Sequence, residues 1–114
     1  MSIDILELAS EALYLPDSID AAAAHMGACG MRRHAATEAL YRREAELLVS
    51  GTVNGSSEDR RKAQLRLETL EERAAWAAAA EAECAAIREY ERLVRRHEAL
   101  LVWAPILHAQ KESR

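Results

Sequence analysis

One stretch of about 48 residues, from Ser57 to about Ala104, has the pattern of a single long helix. Small or apolar side chains recur in it at intervals of three or four residues, about 3.4 on average, close to the 3.5 spacing of a left-handed coiled coil. Such a helix would be roughly 70 Å long and needs another helix against its apolar stripe. The stripe consists of Ala63, Leu67, Leu70, Ala74, Ala77, Ala80, Cys84, Ile87, Tyr90, Val94, His97, Leu101 and Ala104.

Composition predicts an all-α fold. Alanine supplies 24 of the 114 residues, Leu, Glu and Arg are abundant, and Phe is absent. These abundant residues favour helices, whereas the strand-favouring Val, Ile and Thr are few. A core built on alanine lets helix backbones approach closely, so we expect a helical bundle with modest side-chain interlock.

Turn signals divide the chain into three parts. Residues 1–30 are predicted to form two short acidic helices, the first capped by Ser2, stopped by Pro16, and followed by a second that ends at Gly30. Residues 31–104 are predicted to form a helical hairpin with its turn at 51–57, where Asn54 precedes a glycine. Residues 105–114 are predicted to be a tail, because Pro105 breaks the helical pattern.

The long helix is predicted to carry an interface with a second copy of the chain or with another protein. Its zone from Ala74 to Ala86 is rich in alanine and would allow close helix pairing, with Trp76 either as an interface anchor or packed against the N-terminal helices. Three elements could cover the apolar stripe of this helix, namely the N-terminal helices, a second copy of the chain or a different protein. The predicted interface residues are Leu67, Leu70, Ala74, Trp76, Ala77, Ala80, Cys84, Ile87, Tyr90, Val94 and Leu101.

Charge is unevenly distributed. The first 30 residues contain five carboxylates and no Lys or Arg, although the whole chain has a net charge of −4. A protein that reads duplex DNA usually shows a net basic face, so this class is disfavoured. An acidic inhibitor of a nucleic-acid enzyme, similar in kind to an anti-CRISPR protein, is an alternative, because carboxylates can mimic phosphates. The residues of that surface would be Asp4, Glu7, Glu11, Asp17 and Asp20.

A basic cluster follows the predicted turn and offers a second alternative. Arg60, Arg61, Lys62 and Arg66 could contact single-stranded DNA or an acidic partner. The simpler interpretation is a solvated helix face balanced by neighbouring glutamates, as the spacing of Glu58 and Lys62 indicates.

The sequence contains no clear set of metal-binding or catalytic residues. His25, Cys29 and His34 could be written as part of a zinc site, but a structural site normally needs four ligands and no fourth has a diagnostic spacing. Cys84 and His97 lie thirteen residues apart on one predicted helix, too far to act together within one chain. We therefore expect no enzyme and no cofactor. The absence of a long apolar run or a secretory signal predicts a cytoplasmic protein without a membrane anchor.

The segment from Gly51 to Leu65, which includes the turn and the run Arg61-Lys62-Ala63-Gln64-Leu65, resembles small uncharacterised helical proteins of phages and prophages. The resemblance covers about residues 36–102. Proteins of this kind are often encoded near recombination genes, which implies an accessory role beside DNA metabolism or host defence and no catalytic residues. The sequence thus predicts a dimeric, non-enzymatic adaptor that binds another protein.

Overall fold

The computed structural model describes residues 4–112, without the side chains of residues 104, 107, 108 and 110–112. It contains three helices: α1 (Ile5–Val49), α2 (Glu58–Glu68) and α3 (Leu70–Glu112). No strand occurs among the described residues. The prediction of an all-α chain with a helical hairpin and a long C-terminal helix is therefore confirmed.

Helix α1 begins at an Asp cap and continues for 45 residues. The Asp4 Oδ1 accepts hydrogen bonds from the backbone N–H of Leu6 (3.0 Å) and of Glu7 (3.2 Å), as an N-cap residue does. The predicted cap Ser2 lies outside the described residues.

The predicted helix ends at Pro16 and Gly30 are wrong, because α1 passes through both residues. A proline inside a helix removes one backbone hydrogen bond and strains the preceding turn. Leu15 is buried immediately before Pro16, and Cys29 is buried immediately before Gly30. Burial of these side chains offsets the local cost, so packing overrides both stop signals.

Gly51 ends α1 as predicted and opens the connecting turn. Its φ of +78° is the left-handed conformation that glycine adopts without strain. The N–H of Val53 donates to the Leu47 carbonyl at 3.2 Å, and both side chains are buried beneath the turn. Ser57 then caps α2 by accepting from the Arg60 N–H at 3.2 Å.

A break at Thr69 separates α2 from α3, so the predicted single helix from Ser57 is in fact two. The buried Thr69 hydroxyl donates to the Leu65 carbonyl at 2.5 Å and accepts from the Nε of Arg73 at 2.9 Å. A threonine that bonds back to the preceding turn bends a helix. At the other end, α3 continues past Pro105 to Glu112, so the predicted stop at Pro105 is wrong as well.

Two compact units divide the chain. The first unit combines Met1–Met26 with Ala85–Arg114, and the second unit consists of Gly27–Cys84. Among the described side chains of the first unit, Leu15, Ala86 and Leu100 are the buried apolar ones. In the second, the end of α1 and the start of α3 run antiparallel around Cys29, Leu40, Leu47 and Val53.

The first unit is tied across its helices by one bidentate ion pair. Arg96 donates from Nε to Glu11 Oε1 at 2.7 Å and from Nη2 to Glu11 Oε2 at 2.8 Å. These hydrogen bonds lower the pKa of Glu11 and raise that of Arg96. The pair links α1 to α3 within this unit.

Candidate interaction surface

Half-buried Gly30, Thr37 and Glu44 flank a regular series of less accessible residues in the second unit. This series alternates by four and three residues on α1, where it consists of Cys29, Arg33, Ala36, Leu40, Arg43 and Leu47, and on α3 it includes Glu72, Ala79 and Glu83. This is the heptad spacing of a coiled coil. Charged residues occupy four of these positions, so ion pairs replace part of the apolar contact between the two helices.

Four polar contacts join α1 to α3 in the second unit, in antiparallel order. Arg33 Nε donates to Glu83 Oε1 at 2.6 Å, and Arg73 Nη2 donates to Glu44 Oε1 at 3.0 Å. Arg43 forms an ion pair with Glu72 at 4.0 Å, and the indole N–H of Trp76 donates a hydrogen bond to the Thr37 hydroxyl at 3.0 Å. These contacts fix the register of the two helices.

Gly30 makes room for one of these pairs. A Cβ at this position would lie 2.8 Å from the Oε2 of Glu83. The absence of a side chain lets Glu83 lie close to α1, where it accepts from Arg33. The glycine that the sequence predicts as a helix stop is therefore the place where the Glu83 carboxylate lies against α1.

A cleft of about 540 Å³ opens on one side of this helix pair. Its lining combines two aromatic rings, Tyr41 and Trp76, with charged side chains from both helices. Tyr41 is 65% exposed and Trp76 39% exposed. The full lining is Arg33, Thr37, Leu40, Tyr41, Glu44, Arg73, Trp76 and Ala77, which we call the cleft of the second unit.

The predicted interface residues fall into two groups. Ala80, Ile87, Tyr90 and Val94 are half-buried within their own units. The others are exposed, with Leu67 71%, Leu70 62% and Leu101 59% accessible. The exposed group also contains Ala74, Trp76, Ala77 and Cys84.

Trp76 makes an intramolecular contact, but its partner Thr37 lies in the predicted hairpin and not in the N-terminal helices of residues 1–30. Its hydrogen bond to Thr37 anchors the indole edge on α1. The ring nevertheless keeps more than a third of its surface accessible and lines the cleft. The same side chain can therefore stabilise the helix pair and offer apolar surface to another molecule.

Two of the five predicted mimic carboxylates already have partners within the chain. Asp4 caps α1, and Glu11 binds Arg96. Glu7, Asp17 and Asp20 are exposed on the first part of α1. An acidic surface of this helix thus rests on three carboxylates rather than five.

The predicted basic cluster on α2 is exposed, and part of it is engaged locally. Arg61 donates to the Gly55 carbonyl at 3.1 Å, and Lys62 pairs with Glu58 at 3.3 Å. Arg60 and Arg66 are the remaining exposed members. These contacts match the interpretation of a solvated helix face with local partners.

The candidates for chemistry are not assembled into a site. Among the side chains that the structure describes, no three of His, Cys, Asp or Glu come together as a metal site would require. Cys29 is buried, Cys84 is exposed, and His34 pairs with Glu38 at 3.2 Å. In the same part of the chain, no helix is both long enough and apolar enough to cross a bilayer.

Sequence reasoning missed the α1 side of the cleft, namely Arg33, Thr37, Tyr41 and Glu44. Arg43 and Glu44, which interrupt the apolar face of this part of α1, both pair with α3. The available signal was the alternation of four and three residues from Cys29 to Leu47, which includes two arginines. An arginine at such a position indicates a cross-helix carboxylate partner.

Comparison with known protein families, with curated proteins and with solved structures finds no match for this chain.

Proposed function

We propose that this protein is a non-enzymatic helical interaction module that self-associates through the second unit. The supporting observation is the exposure of apolar side chains around the cleft. Tyr41 and Trp76 line it, and the exposed Leu70 lies two helical turns before Ala77 on the same stripe of α3. A group of exposed large apolar residues beside a groove is typical of a binding surface.

Association through this face would bury side chains that the fold leaves in water. Burying a leucine contributes about 1.5–3 kcal/mol, and aromatic residues dominate the energy of many interfaces. The exposed alanines Ala74 and Ala77 would permit close backbone approach of another helix. Leu67, Leu70 and Trp76 would supply most of the stabilisation in this arrangement.

A broader role follows from the resemblance to small phage proteins. In that setting the module would act as an accessory or adaptor protein beside DNA metabolism or host defence, in the cytoplasm, with a second protein as its target.

The test is the mass of the full chain in solution, measured by size-exclusion chromatography with light scattering over a range of concentrations. We expect a dimer or a concentration-dependent increase in mass. The double variant Leu67→Ser, Leu70→Ser should weaken association at least tenfold. Val102→Ser is the control, because Val102 is 73% exposed in the first unit and lies outside the proposed face. A monomer at every concentration would remove the self-association.

A further inference from the structure

The outermost charges of the cleft are positive. In both of its ion pairs the arginine is the more exposed partner: Arg33 is 43% and Glu83 20% accessible, and Arg73 is 40% and Glu44 23% accessible. The described contacts use Nε of Arg33, and Nε and Nη2 of Arg73. A guanidinium carries five N–H donors, so each arginine has further donors for an incoming carboxylate.

The first part of α1 has the complementary chemistry. The segment Met1–Met26 contains five carboxylates and neither Lys nor Arg. Leu13 is 77% exposed, and Asp17 and Asp20 follow it at i+4 and i+7 on the same face of the helix. This face thus presents an apolar side chain followed by two exposed carboxylates, which we call the acidic face of α1.

We propose that the cleft of the second unit binds the acidic face of α1 from a second copy of this chain. Leu13 of the second copy packs against Tyr41 and Trp76, and Asp17 and Asp20, which both follow Leu13 on its helix, accept hydrogen bonds from Arg33 at one end of the cleft. This inference rests on the proposed self-association and identifies the two surfaces that meet.

Charge complementarity distinguishes this occupant from a copy of the cleft face itself. Two facing clefts would bring their outer guanidinium groups together, whereas the acidic face offers carboxylates to them. When two copies are related by a twofold axis, each contact of this kind occurs twice and the assembly closes as a dimer. The inference also gives a role to Asp17 and Asp20, two of the three N-terminal carboxylates that neither the cap nor the Arg96 pair uses.

The first experiment measures the dissociation constant of the full-chain assembly as a function of salt. Asp17→Asn with Asp20→Asn should weaken association at least tenfold and flatten its salt dependence. Glu38→Gln with Glu98→Gln changes the net charge equally at two exposed sites outside both surfaces and should alter the dissociation constant less than twofold. Equal effects of the two double variants would overturn the inference.

The second experiment tests contact directly by disulfide trapping between two full-length chains with different tags, both carrying Cys84→Ser. One chain carries Leu13→Cys and the other Tyr41→Cys, and both altered residues are exposed, so folding should be retained. We expect a mixed disulfide between the tags under mild oxidation. Val102→Cys in place of Leu13→Cys is the control and should trap at least tenfold less.

The outcomes separate the inference from the proposed function. A dimer without the mixed disulfide overturns the inference and leaves self-association standing, whereas a monomer removes both. A further arm adds a twenty-nucleotide oligothymidylate to the Trp103→Phe variant, in which Trp76 is the only indole. A change in Trp76 fluorescence with this DNA, in a protein that stays monomeric, would overturn the inference in favour of a nucleic-acid site.

Discussion

Gln64 holds the turn that joins α1 to α2, and its replacement gives the sharpest test of the fold. The Gln64 Oε1 accepts from the backbone N–H of Asn54 at 3.1 Å and from that of Gly55 at 2.8 Å. We expect Gln64→Leu to lower the free energy of unfolding by about 1–2 kcal/mol. The Gly55 contact accounts for most of this loss because it is part-buried, whereas water can replace the partner of the exposed Asn54 N–H.

Gln64→Glu is the matched control, since a carboxylate keeps an acceptor oxygen at the same position and accepts strongly from N–H groups. It should change the free energy of unfolding by less than about 0.5 kcal/mol, a surface-like effect. Urea unfolding followed by circular dichroism measures both variants. If Gln64→Glu were as destabilising as Gln64→Leu, or if both were neutral, the two hydrogen bonds would not hold the turn.

Three further predictions concern the helices. Leu47→Ala should destabilise the protein by about 2–3 kcal/mol in urea unfolding, because Leu47 is only 2% exposed beneath the turn and the change leaves a cavity. A loss below about 1 kcal/mol would contradict this packing. Gly27→Ala should raise the free energy of unfolding by about 0.5–1 kcal/mol, since a Cβ there meets no atom within 4 Å. Gly30→Ala should raise it less or lower it, because its Cβ would lie 2.8 Å from Glu83. Equal gains in the two variants would show that Gly30 has no role in helix approach. Arg96 lowers the pKa of Glu11 below its usual 4.5, so the stability that this pair contributes is present above that pH and is lost as the pH falls through the lower folded-state value. Glu11→Gln should therefore reduce the difference in the free energy of unfolding between about pH 7 and about pH 3. An unchanged difference would count against the pair.

The cleft connects these predictions to the proposed function. Its walls depend on the register of α1 against α3, which the turn at Gln64 and the pair of Arg33 with Glu83 both stabilise. Variants that loosen the turn should therefore weaken self-association in proportion to their loss of stability. Variants on the cleft surface, such as Tyr41→Ser, should weaken association while the free energy of unfolding stays nearly constant. The two classes can be separated by measuring mass and unfolding on the same samples.

Local features of the sequence were sufficient for the helical class, the hairpin and its turn. Alanine, leucine, glutamate and arginine favour helices through their own backbone and side-chain preferences, and Gly51 can adopt a positive φ that other residues resist. The half-burial of Ile87, Tyr90 and Val94 also follows from their spacing alone. These properties depend on residues close together in the chain, so the sequence by itself determined them.

Contacts between residues far apart in the sequence decided where the helices end and how the cleft forms. Pro16 and Gly30 carry local signals to end a helix, and burial of Leu15 and Cys29 overrides both. Thr69 has the opposite effect, since its hydroxyl bonds to Leu65 and Arg73 and divides a segment that reads as one helix. The cleft arises in the same way, because Arg33 and Glu83 are fifty residues apart and only the antiparallel pairing of α1 with α3 brings them together. The residue types along the chain indicate which local backbone conformation each segment favours. The packed structure determines which partner each buried or charged side chain contacts.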